Sequence, residues 1–411
     1  MGHGIPWRRY NAAMQPRRAL TWIAVLYFAE GLPFGIAYDL WPVYFRRHGV
    51  SLREIGLMSL LFMPWTLKML WAPLVDRYGA RQHWISSALV VLGGATLAMM
   101  PLDATNPSWP MWSVLLLFTT ASATQDIAVD AYAVDIVTPE TRGPINGMRV
   151  SAARVAFVLA GGVSLALSKI TGWKPLWAIL GVTFFVLAAV ALTSPRIALD
   201  AAKRRNPVGP VLRWALRWEM LPVLLFVPLF KLGDSTLGRM VKPFWVDRGY
   251  TDAEIGLVSM TGGVALTVAG ALAGGWFVKR YGIFRALLWL GIAQSAVNLG
   301  YVTVATLQLP REGIYVASLL ESFGQGLGTA AFVSFLTNLC DKEHAATQYA
   351  LLSALFALTR DVAGAFTGFG VERFGYGVYF AFTVLIAVPG LLLLPLIKSR
   401  IREQQAAPAS A

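Results

Sequence analysis

With 411 residues the chain is long enough for two or three soluble domains, yet 56% of its residues are apolar and only 14% are charged. A soluble protein of this size has too much surface to hide that apolar fraction, so the composition excludes a soluble globular protein and indicates several membrane spans. The net charge of +13 fits nucleic acid, anionic lipid or an anionic substrate as partner, and only the positions of the charges separate these classes.

Twelve stretches of the sequence are apolar and long enough to cross a bilayer core of about 30 Å, which takes about 20 residues per helix. In chain order they cover residues 19–45, 52–75, 84–101, 111–136, 144–168, 175–194, 219–246, 253–278, 284–306, 312–339, 345–370 and 375–397. The first stretch contains Glu30 and Asp39 and shows no small-residue cleavage site, so we predict a permanent span and not a signal peptide. The pattern predicts an all-α membrane protein with twelve transmembrane helices.

The loop cations predict the orientation of these spans. Of the 35 Lys and Arg residues, 20 fall in the tails and loops on the side of both termini, eight fall in the opposite loops, and the rest lie inside the spans. Because cytoplasmic loops carry the excess of Lys and Arg, both termini are predicted to be cytoplasmic. The remaining segments are then an N-terminal tail (1–18), a basic linker (195–218) and a C-terminal tail (398–411), all cytoplasmic.

The basic linker and the single cysteine narrow the classes of partner. A basic segment next to membrane spans is typical of contact with anionic lipid headgroups and does not indicate a nucleic-acid partner. Cys340 is the only cysteine, which excludes an internal disulfide and a zinc site built from cysteines. No nucleotide-binding motif is present, so an ion gradient is expected to supply the energy. We predict a monomer without a cofactor or bound metal ion.

The sequence repeats at a shift of 200 positions. Residues 48–57 align with residues 248–257, and each copy has a Ser or Thr three residues before a Glu. This capping-box spacing predicts that a helix begins at the same place in both copies. The chain is therefore interpreted as a duplicated six-span unit that forms two six-helix bundles, at 19–194 and 219–397.

The turn after the second span also has a counterpart in the second half. It reads Asp76-Arg77-Tyr78-Gly79 with Arg81 following, and Lys279-Arg280-Tyr281-Gly282 follows the eighth span. The first turn resembles the cytoplasmic motif of the major facilitator superfamily. Charges at the ends of two gating helices can lock the cytoplasmic side through helix-end and ion-pair contacts. We predict a cytoplasmic gate formed by Asp76, Arg77, Arg81 and Arg280; ordinary topogenic charge is the alternative.

Charged residues away from the span ends are sorted by span number. Spans one, four, seven and ten hold Glu30, Asp39, Asp126, Asp130, Asp135, Lys231, Asp234, Arg239, Lys242 and Glu321. Spans two, five and eleven hold Lys68, Arg149, Arg154, Arg360 and Asp361, and spans three, six, nine and twelve hold none. A lipid-facing charge costs several kcal/mol, so these groups must face protein or water. This sorting agrees with the facilitator architecture, in which the first helix of each three-helix unit lines a central aqueous cavity.

Helical spacing brings two acidic residues onto one face. Asp126 and Asp130 are four residues apart, and two carboxylates on one face repel, which suits proton binding and release unless Arg149 or Arg154 neutralises them. The four His residues lie in loops or at span ends, so carboxylates must carry any coupled proton. We predict proton coupling through Glu30, Asp126, Asp130 and Asp234. A static salt bridge is the alternative.

Cations in a partly dry cavity bind anionic groups more strongly than cations at a surface. We therefore predict that Lys231, Arg154 and Arg239 hold anionic groups of a substrate, with Asp234 positioning Lys231 from three residues away. The predicted substrate-binding set also contains Tyr27, Lys68, Gln125, Glu321 and Gln325, of which Gln125 and Gln325 are equivalent in the repeat. For Arg360 and Asp361 we favour a static ion pair.

Four segments, Leu67–Tyr78, Ala123–Asp130, Lys231–Asp234 and Ala346–Leu355, resemble the AmpG-type muropeptide permeases, a branch of the same superfamily. The second segment also resembles acetyl-CoA transporters. The resemblance runs from about residue 18 to residue 398 and implies the major facilitator fold. It also implies import of anhydro-sugar muropeptides across the bacterial inner membrane by the proton gradient. The shared motifs contain Lys68, Asp126, Asp130, Lys231 and Asp234.

We expect a proton-coupled importer that works by alternating access. An anhydro-muropeptide is the leading substrate. A ferric siderophore of the pyochelin or rhizobactin type is the alternative, because AmpG-type permeases carry further hydrophobic segments after the twelfth span and siderophore permeases share this shorter length. An acetyl-CoA transporter or an intramembrane acyl-transfer enzyme using Asp126 and Asp130 is less favoured, since no candidate nucleophile stands beside a His. We therefore predict a transporter and not an enzyme.

Overall fold

The structure, a computed structural model, describes residues 16–136, 142–195, 213–307, 309–340 and 345–401. All regular structure in these ranges is helical, which confirms the expectation of an all-α protein. Most of the predicted tails (1–18 and 398–411) and of the predicted linker (195–218) lies outside the described residues, as does the side chain of Asp76.

The helices of the first half follow one another through short connections. Helix α1 consists of Pro16–Gly35, the π-helical segment Ile36–Leu40 and Trp41–Arg47, and α2 consists of Leu52–Leu57, the 3-10 segment Met58–Phe62, Met63–Leu67, the 3-10 segment Lys68–Leu70 and Ala72–Arg77. Helix α3 is Arg81–Ala98, and α4 is Trp109–Ile136. Helix α5 consists of Arg142–Val158, the π-helical segment Leu159–Val163 and Ser164–Thr171, and α6 is Trp173–Leu192.

The second half is organised in the same way. A 3-10 turn, Trp218–Met220, precedes α7, which is Leu221–Asp247. Helix α8 consists of Asp252–Glu254, the π-helical segment Ile255–Gly262 and Gly263–Tyr281; α9 is Ile283–Leu307, and α10 is Arg311–Leu339. Helix α11 is Ala345–Leu392, in which two helices are joined across a kink at Gly375, and α12 is Leu394–Ile397, followed by the 3-10 turn Lys398–Arg400.

Seven helical stretches of the described chain are long and apolar enough to cross a membrane. They are Arg17–Arg47, Gly147–Thr171, Trp173–Leu192, Trp218–Asp247, Asp252–Tyr281, Ile283–Leu307 and Gln348–Arg400. Helices α2, α3, α4 and α10 are not in this set. The chain is thus a protein with several membrane spans, and the number of twelve stays a prediction.

Equivalent caps begin the second helix of each half. The backbone N–H of Glu54 donates to the Ser51 hydroxyl oxygen, and the Glu54 carboxylate accepts from the Ser51 N–H in return. Thr251 and Glu254 form the same capping box. Gly49 and Gly249 lie two residues before these caps and have φ values of 83° and 76°. Glycine adopts this backbone conformation without strain. The predicted capping boxes are confirmed.

The described residues form two compact units, and each unit takes a short segment from the other half of the sequence. Of the described residues, unit 1 draws on 16–50, 61–136, 142–195 and 250–257, and unit 2 draws on 51–60, 213–249, 258–307, 309–340 and 345–401. The start of α2 therefore belongs to unit 2, and the start of α8 belongs to unit 1. The bundle boundaries 19–194 and 219–397 stay a prediction.

In unit 1 the start of α8 is held by charge and by close backbone packing. Arg47 at the end of α1 forms an ion pair with Asp252 at 2.7 Å, and the Ser168 hydroxyl lies 3.4 Å from the other Asp252 oxygen. A Cβ atom added to Gly256 would collide with the carbonyl oxygen of Gly162 in the π-helical segment of α5. These contacts fix the first turns of α8 against α1 and α5.

In unit 2 the start of α2 packs on α11 in the same manner. Arg53 forms an ion pair with Glu372 at 2.5 Å, and its backbone N–H donates to the same carboxylate at 3.2 Å. A Cβ atom added to Gly368 would collide with the carbonyl oxygen of Leu52. One ion pair and one close glycine contact thus hold each of the two helix starts.

Helices α8 and α10 of unit 2 also pack through glycines. A Cβ atom added to Gly270 would collide with the carbonyl oxygen of Phe323, and one added to Gly326 would collide with the carbonyl oxygen of Thr267. Small residues let two helix backbones approach closely in a membrane, where apolar burial alone does not drive association. The α8–α10 contact therefore depends on the absence of side chains at these positions.

Substitution of Gly270 by Ala is expected to destabilise the protein by about 1–3 kcal/mol, because the added methyl group forces the two helices apart. The matched control is Gly275→Ala on the same helix, where the added Cβ meets no atom within 4 Å. This control should be neutral or slightly stabilising, since Ala favours helix more than Gly does. Thermal unfolding of the purified variants in detergent measures the difference, and equal melting temperatures would contradict the packing described.

Candidate functional site

Acidic side chains from two helices of unit 1 converge in the interior of the protein. The carboxylate oxygens of Glu30 on α1 and of Asp126 and Asp130 on α4 lie within 4.8 Å of one another. Asp126 and Asp130 are about one helical turn apart and so share a face of α4. Carboxylates this close repel one another unless cations or a proton lie among them.

Two basic residues from neighbouring helices bind these carboxylates. Lys68 on α2 forms an ion pair with Asp126, and Arg149 on α5 forms one with Asp130 at 2.6 Å. We call these five residues, Glu30, Lys68, Asp126, Asp130 and Arg149, the charged cluster. Sequence spacing left open whether Arg149 or Arg154 neutralises the Asp pair, and the structure pairs Arg149 with it.

Tyr27 completes the surroundings of Asp130. Its hydroxyl donates a hydrogen bond of 2.6 Å to the Asp130 oxygen that Arg149 also binds. The guanidinium carbon of Arg149 lies 4.6 Å from the centre of the Tyr27 ring, a distance that allows a cation–π contact. Tyr27 was predicted as a substrate contact, and in the structure it positions both members of the Arg149–Asp130 pair.

The charged cluster is not electrically balanced. It contains three carboxylates and two cationic side chains, so one excess negative charge remains when all five groups are ionised. One carboxylate oxygen of Glu30 is buried and accepts no hydrogen bond from a described residue. A buried polar oxygen without a donor is costly. A single proton bound to the charged cluster would remove the excess charge and could supply the missing donor.

The charged cluster has a closed end and an open end. The side chain of Asp126 is 9% exposed, whereas that of Asp130 is 42% exposed. Because a charge exposed to lipid would cost several kcal/mol, the open end at Asp130 faces water or a bound polar ligand. The Arg149–Asp130 pair is therefore accessible, and the Asp126 carboxylate is shielded.

An aromatic stack adjoins the charged cluster on α1 and α2. Phe34 stacks on Trp65 with ring centres 4.4 Å apart, and Tyr38 packs against Phe62 at 4.2 Å. Phe34 and Tyr38 continue the face of α1 that carries Glu30, since they follow it at intervals of four residues. The face of α1 that carries Glu30 thus continues as aromatic surface that packs on α2.

A second group of charges lies in unit 2. Lys231 and Asp234 on α7 form a buried ion pair at 3.1 Å, three residues apart, in the arrangement that the sequence predicts. Glu321 on α10 is also buried, and Lys242 donates a hydrogen bond of 2.7 Å to Ser259. These groups could bind polar parts of a substrate, but their roles stay predictions.

Arg239, a predicted substrate-binding residue, takes part in a buried ion-pair network. Its guanidinium group lies 3.1 Å from an Asp361 oxygen, and Arg360 binds the same oxygen at 2.9 Å. Asp361 is fully buried. Arg239 is therefore engaged by a protein carboxylate, and a substrate anion would have to compete with Asp361 for it.

The remaining predicted substrate contacts differ in their surroundings. Gln125 is fully buried, and neither polar atom of its side chain bonds a described residue. Gln325 is half-buried, and Arg154 is exposed and makes no hydrogen bond or ion pair within the described chain. Of these three residues, Arg154 has the most exposed side chain.

The predicted cytoplasmic gate is resolved in part. Arg81 is buried, donates to the carbonyl oxygen of Val75 at 2.9 Å and lies 3.8 Å from Asp135 at the end of α4. Arg77 and Arg280 are exposed and lie over the rings of Tyr78 and Tyr281, at 5.6 and 5.7 Å. The two turns thus share an arginine over the following tyrosine ring, while their role as a gate stays a prediction.

Sequence reasoning gave Arg149 no site role of its own. It appeared only as one of two residues able to neutralise the Asp pair. The available signal was its place on the span next to the one that carries Asp126 and Asp130. That signal could not distinguish Arg149 from Arg154, because the rotation of α5 about its axis decides which arginine meets α4.

Comparison with known proteins identifies the family. The sequence profile of the Major Facilitator Superfamily matches residues 23–360. The chain belongs to this superfamily. It is 33% identical over 392 residues to the anhydromuropeptide permease of Escherichia coli (strain K12), and the match covers 92% of this chain and 79% of the permease. The protein is therefore a secondary transporter related to AmpG-type permeases, and the predicted family resemblance is confirmed.

Further relatives and solved structures agree with this family. A protein described as putative transporter AmpG 4 from Rickettsia conorii is 28% identical over 400 residues, which covers 92% of this chain and 96% of the relative. An inward-facing, unoccupied bacterial homologue of the human lysosomal transporter Spinster matches 99% of this chain and all of its own, with a TM-score of 0.71 and 17% identity. A POT-family peptide transporter in complex with alafosfalin gives a TM-score of 0.72 with 97% of this chain and all of its own covered, at 12% identity. The superfamily fold and a transporter, not an enzyme, are thus confirmed.

Proposed function

We propose that this member of the superfamily imports an anionic, medium-sized solute across the bacterial inner membrane together with protons, with an anhydromuropeptide as the leading substrate. The observation that carries the proposal is the charged cluster, whose three carboxylates face two cations. Glu30, Asp126 and Asp130 would share the coupled proton, because one proton balances the charge of the cluster. Asp234 is the proposed coupling residue in unit 2.

The chemistry of the charged cluster favours a proton over a metal ion. Two of the three carboxylates are already bound by Lys68 and Arg149. A divalent cation would be repelled by these ammonium and guanidinium groups, whereas a proton needs only one carboxylate oxygen. The buried, unbonded oxygen of Glu30 offers such a place.

The proposed substrate rests on the relatives and on the cations. The Escherichia coli relative is named anhydromuropeptide permease, and this chain spans 79% of it. A muropeptide carries carboxylates, which Lys231 and the exposed Arg154 could bind, with Arg239 available only in competition with Asp361. Tyr27, Lys68, Gln125, Glu321 and Gln325 complete the proposed binding set.

We propose the topology of the family for this transporter. Twelve crossings would form two six-helix bundles at 19–194 and 219–397, with both termini and the basic linker on the cytoplasmic side. The bundles would alternate access to the substrate, and Asp76, Arg77, Arg81 and Arg280 would close the cytoplasmic side. The protein would act as a monomer, and the linker would contact anionic lipid.

Uptake into proteoliposomes tests this function. Purified protein is reconstituted, and labelled anhydromuropeptide is added with a pH gradient, acidic outside. We expect the label to accumulate above its external concentration and to leak out again when a protonophore dissipates the gradient. Equal uptake with and without the gradient would contradict proton coupling, and no uptake at all would contradict the substrate.

The siderophore alternative is tested in the same vesicles. Ferric pyochelin or a rhizobactin-type complex replaces the muropeptide, and radioactive iron is the readout. We expect no proton-driven iron accumulation. Accumulation of iron without accumulation of anhydromuropeptide would replace the proposed substrate and leave the proposed coupling mechanism in place.

A further inference from the structure

Arg149 is partly open and only partly used by the protein. Its side chain is 30% exposed, and it binds Asp130 through a single nitrogen. A guanidinium group carries five N–H donors, so most of them bond no described residue. The Tyr27 ring lies beside the guanidinium group and restricts its motion. Arg149 is thus a cation held in place by the protein, with N–H donors that can bind a ligand.

The partner of Arg149 is also the accessible carboxylate of the charged cluster. Asp130 is 42% exposed, while Asp126, which Lys68 binds, is 9% exposed. The two cations are about equally exposed, Lys68 at 32% and Arg149 at 30%, so the pairs differ in their carboxylates. A ligand that took Lys68 would leave the shielded Asp126 without its cation, whereas a ligand that took Arg149 would leave Asp130, which is accessible. Of the two ion pairs, Arg149–Asp130 is therefore the one whose exchange leaves an accessible carboxylate.

We infer that Arg149 binds a carboxylate of the substrate, which takes the guanidinium group over from Asp130 and leaves Asp130 to bind the coupled proton. This inference rests on the proposed proton-coupled import. A substrate carboxylate can form two parallel hydrogen bonds with a guanidinium group, whereas Asp130 forms one. The exchange breaks the bond between Arg149 and Asp130 and forms a bond between Arg149 and the substrate.

The charges around Asp130 make the exchange and proton binding depend on each other. Asp130 is surrounded by Tyr27 and Glu30 from α1, Lys68 from α2, Asp126 from its own helix and Arg149 from α5. When Arg149 turns to the substrate, the cluster gains a second excess negative charge, which a proton on Asp130 offsets. By linkage, the proton must strengthen substrate binding by the same factor as the substrate strengthens proton binding.

Binding measurements in detergent test the inference, with an anhydromuropeptide and its fully amidated analogue as probes. For the wild-type protein, affinity for the anhydromuropeptide should fall with rising pH by up to about tenfold per pH unit, because one proton is taken up with the ligand. Asp130→Asn mimics the protonated carboxyl and should bind tightly without pH dependence. Arg149→Gln should bind at least about tenfold more weakly at every pH, since a charged hydrogen bond is lost. The amidated analogue should respond to neither substitution.

A double variant separates binding from a structural role. If Arg149 only neutralised Asp130, then Arg149→Gln combined with Asp130→Asn would bind like Asp130→Asn alone. If Arg149 holds the substrate, the double variant stays weak, which is the expected result. Lys174→Gln, an exposed residue at the start of α6, is the control for loss of a positive charge and should bind normally.

Two outcomes would overturn the inference. One is recovery of tight binding in the double variant, and the other is loss of binding in Arg154→Gln with unchanged binding in Arg149→Gln. Failure of the proposed function is distinct, because it shows in the wild-type protein as absent proton-driven accumulation of the anhydromuropeptide. If the wild-type protein accumulates the anhydromuropeptide but either of the two outcomes above is found in the variants, the proposed function stands. Only the proposed role of Arg149 is then wrong.

Discussion

Asp126→Asn is expected to abolish proton-driven accumulation of substrate while exchange of substrate across the membrane continues. The substitution leaves two carboxylates, Glu30 and Asp130, with two cations, Lys68 and Arg149, so the charged cluster is balanced without a proton. Lys68 still has the carboxylates of Glu30 and Asp130 nearby. Because the amide of Asn has the same shape as the carboxylate it replaces, the fold should tolerate the substitution. Accumulation in proteoliposomes should fall at least about tenfold, which corresponds to about 1.4 kcal/mol of lost coupling.

Counterflow provides the control for this prediction. Vesicles loaded with unlabelled substrate should take up labelled substrate through Asp126→Asn at a rate within about threefold of the wild type, since exchange requires no net proton movement. Asp103→Asn, in the exposed loop after α3, is the matched control for loss of an acidic residue and should accumulate normally. Undiminished accumulation by Asp126→Asn would exclude Asp126 from the proton pathway.

Asp361→Ala is expected to destabilise unit 2 by about 3–5 kcal/mol, because removal of one partner leaves buried charges uncompensated. Asp361 is 0% exposed and binds both Arg239 and Arg360. Without it, Arg239 and Arg360 lose the carboxylate that both of them bind. A loss of this size is a large part of the 5–15 kcal/mol that stabilises a typical protein.

Unfolding of the purified variants in detergent measures this effect. Asp361→Ala should give little folded protein or a strongly lowered melting temperature, and Asp103→Ala should match the wild type. Combining Asp361→Leu with Arg239→Met removes one charge of each sign and should recover part of the stability, as replacement of buried ion pairs by apolar residues often does. Wild-type stability of Asp361→Ala would show that the network contributes no stability.

Much of the fold follows from periodic features of the sequence. Apolar stretches of bilayer length predict membrane helices, and the spacing of Ser51 with Glu54 and of Thr251 with Glu254 predicts where two of them begin. Such features are local, so a single chain displays them fully. The ion pair between Lys231 and Asp234 was predictable for the same reason, because side chains three residues apart on one helix lie side by side.

The pairing of charges between helices could not be predicted. Which cation meets Asp130 depends on the rotation and depth of α5, and a shift of a few residues would exchange Arg149 for Arg154. The engagement of Arg239 by Asp361 likewise depends on how α7 packs on α11. Residue types showed that buried charges exist, but helix packing decides which of them are bound by the protein and which remain available.

The origin of the segments in each unit has a consequence for biosynthesis. Unit 1 lacks Tyr250–Leu257 until the ribosome has passed the middle of the chain, and at about 5–20 residues per second this takes several seconds after residue 204. Unit 2, in turn, needs Ser51–Leu60, which is made long before the rest of it. Neither unit can therefore mature as an independent domain during translation, and both reach their final form only after most of the polypeptide has entered the membrane.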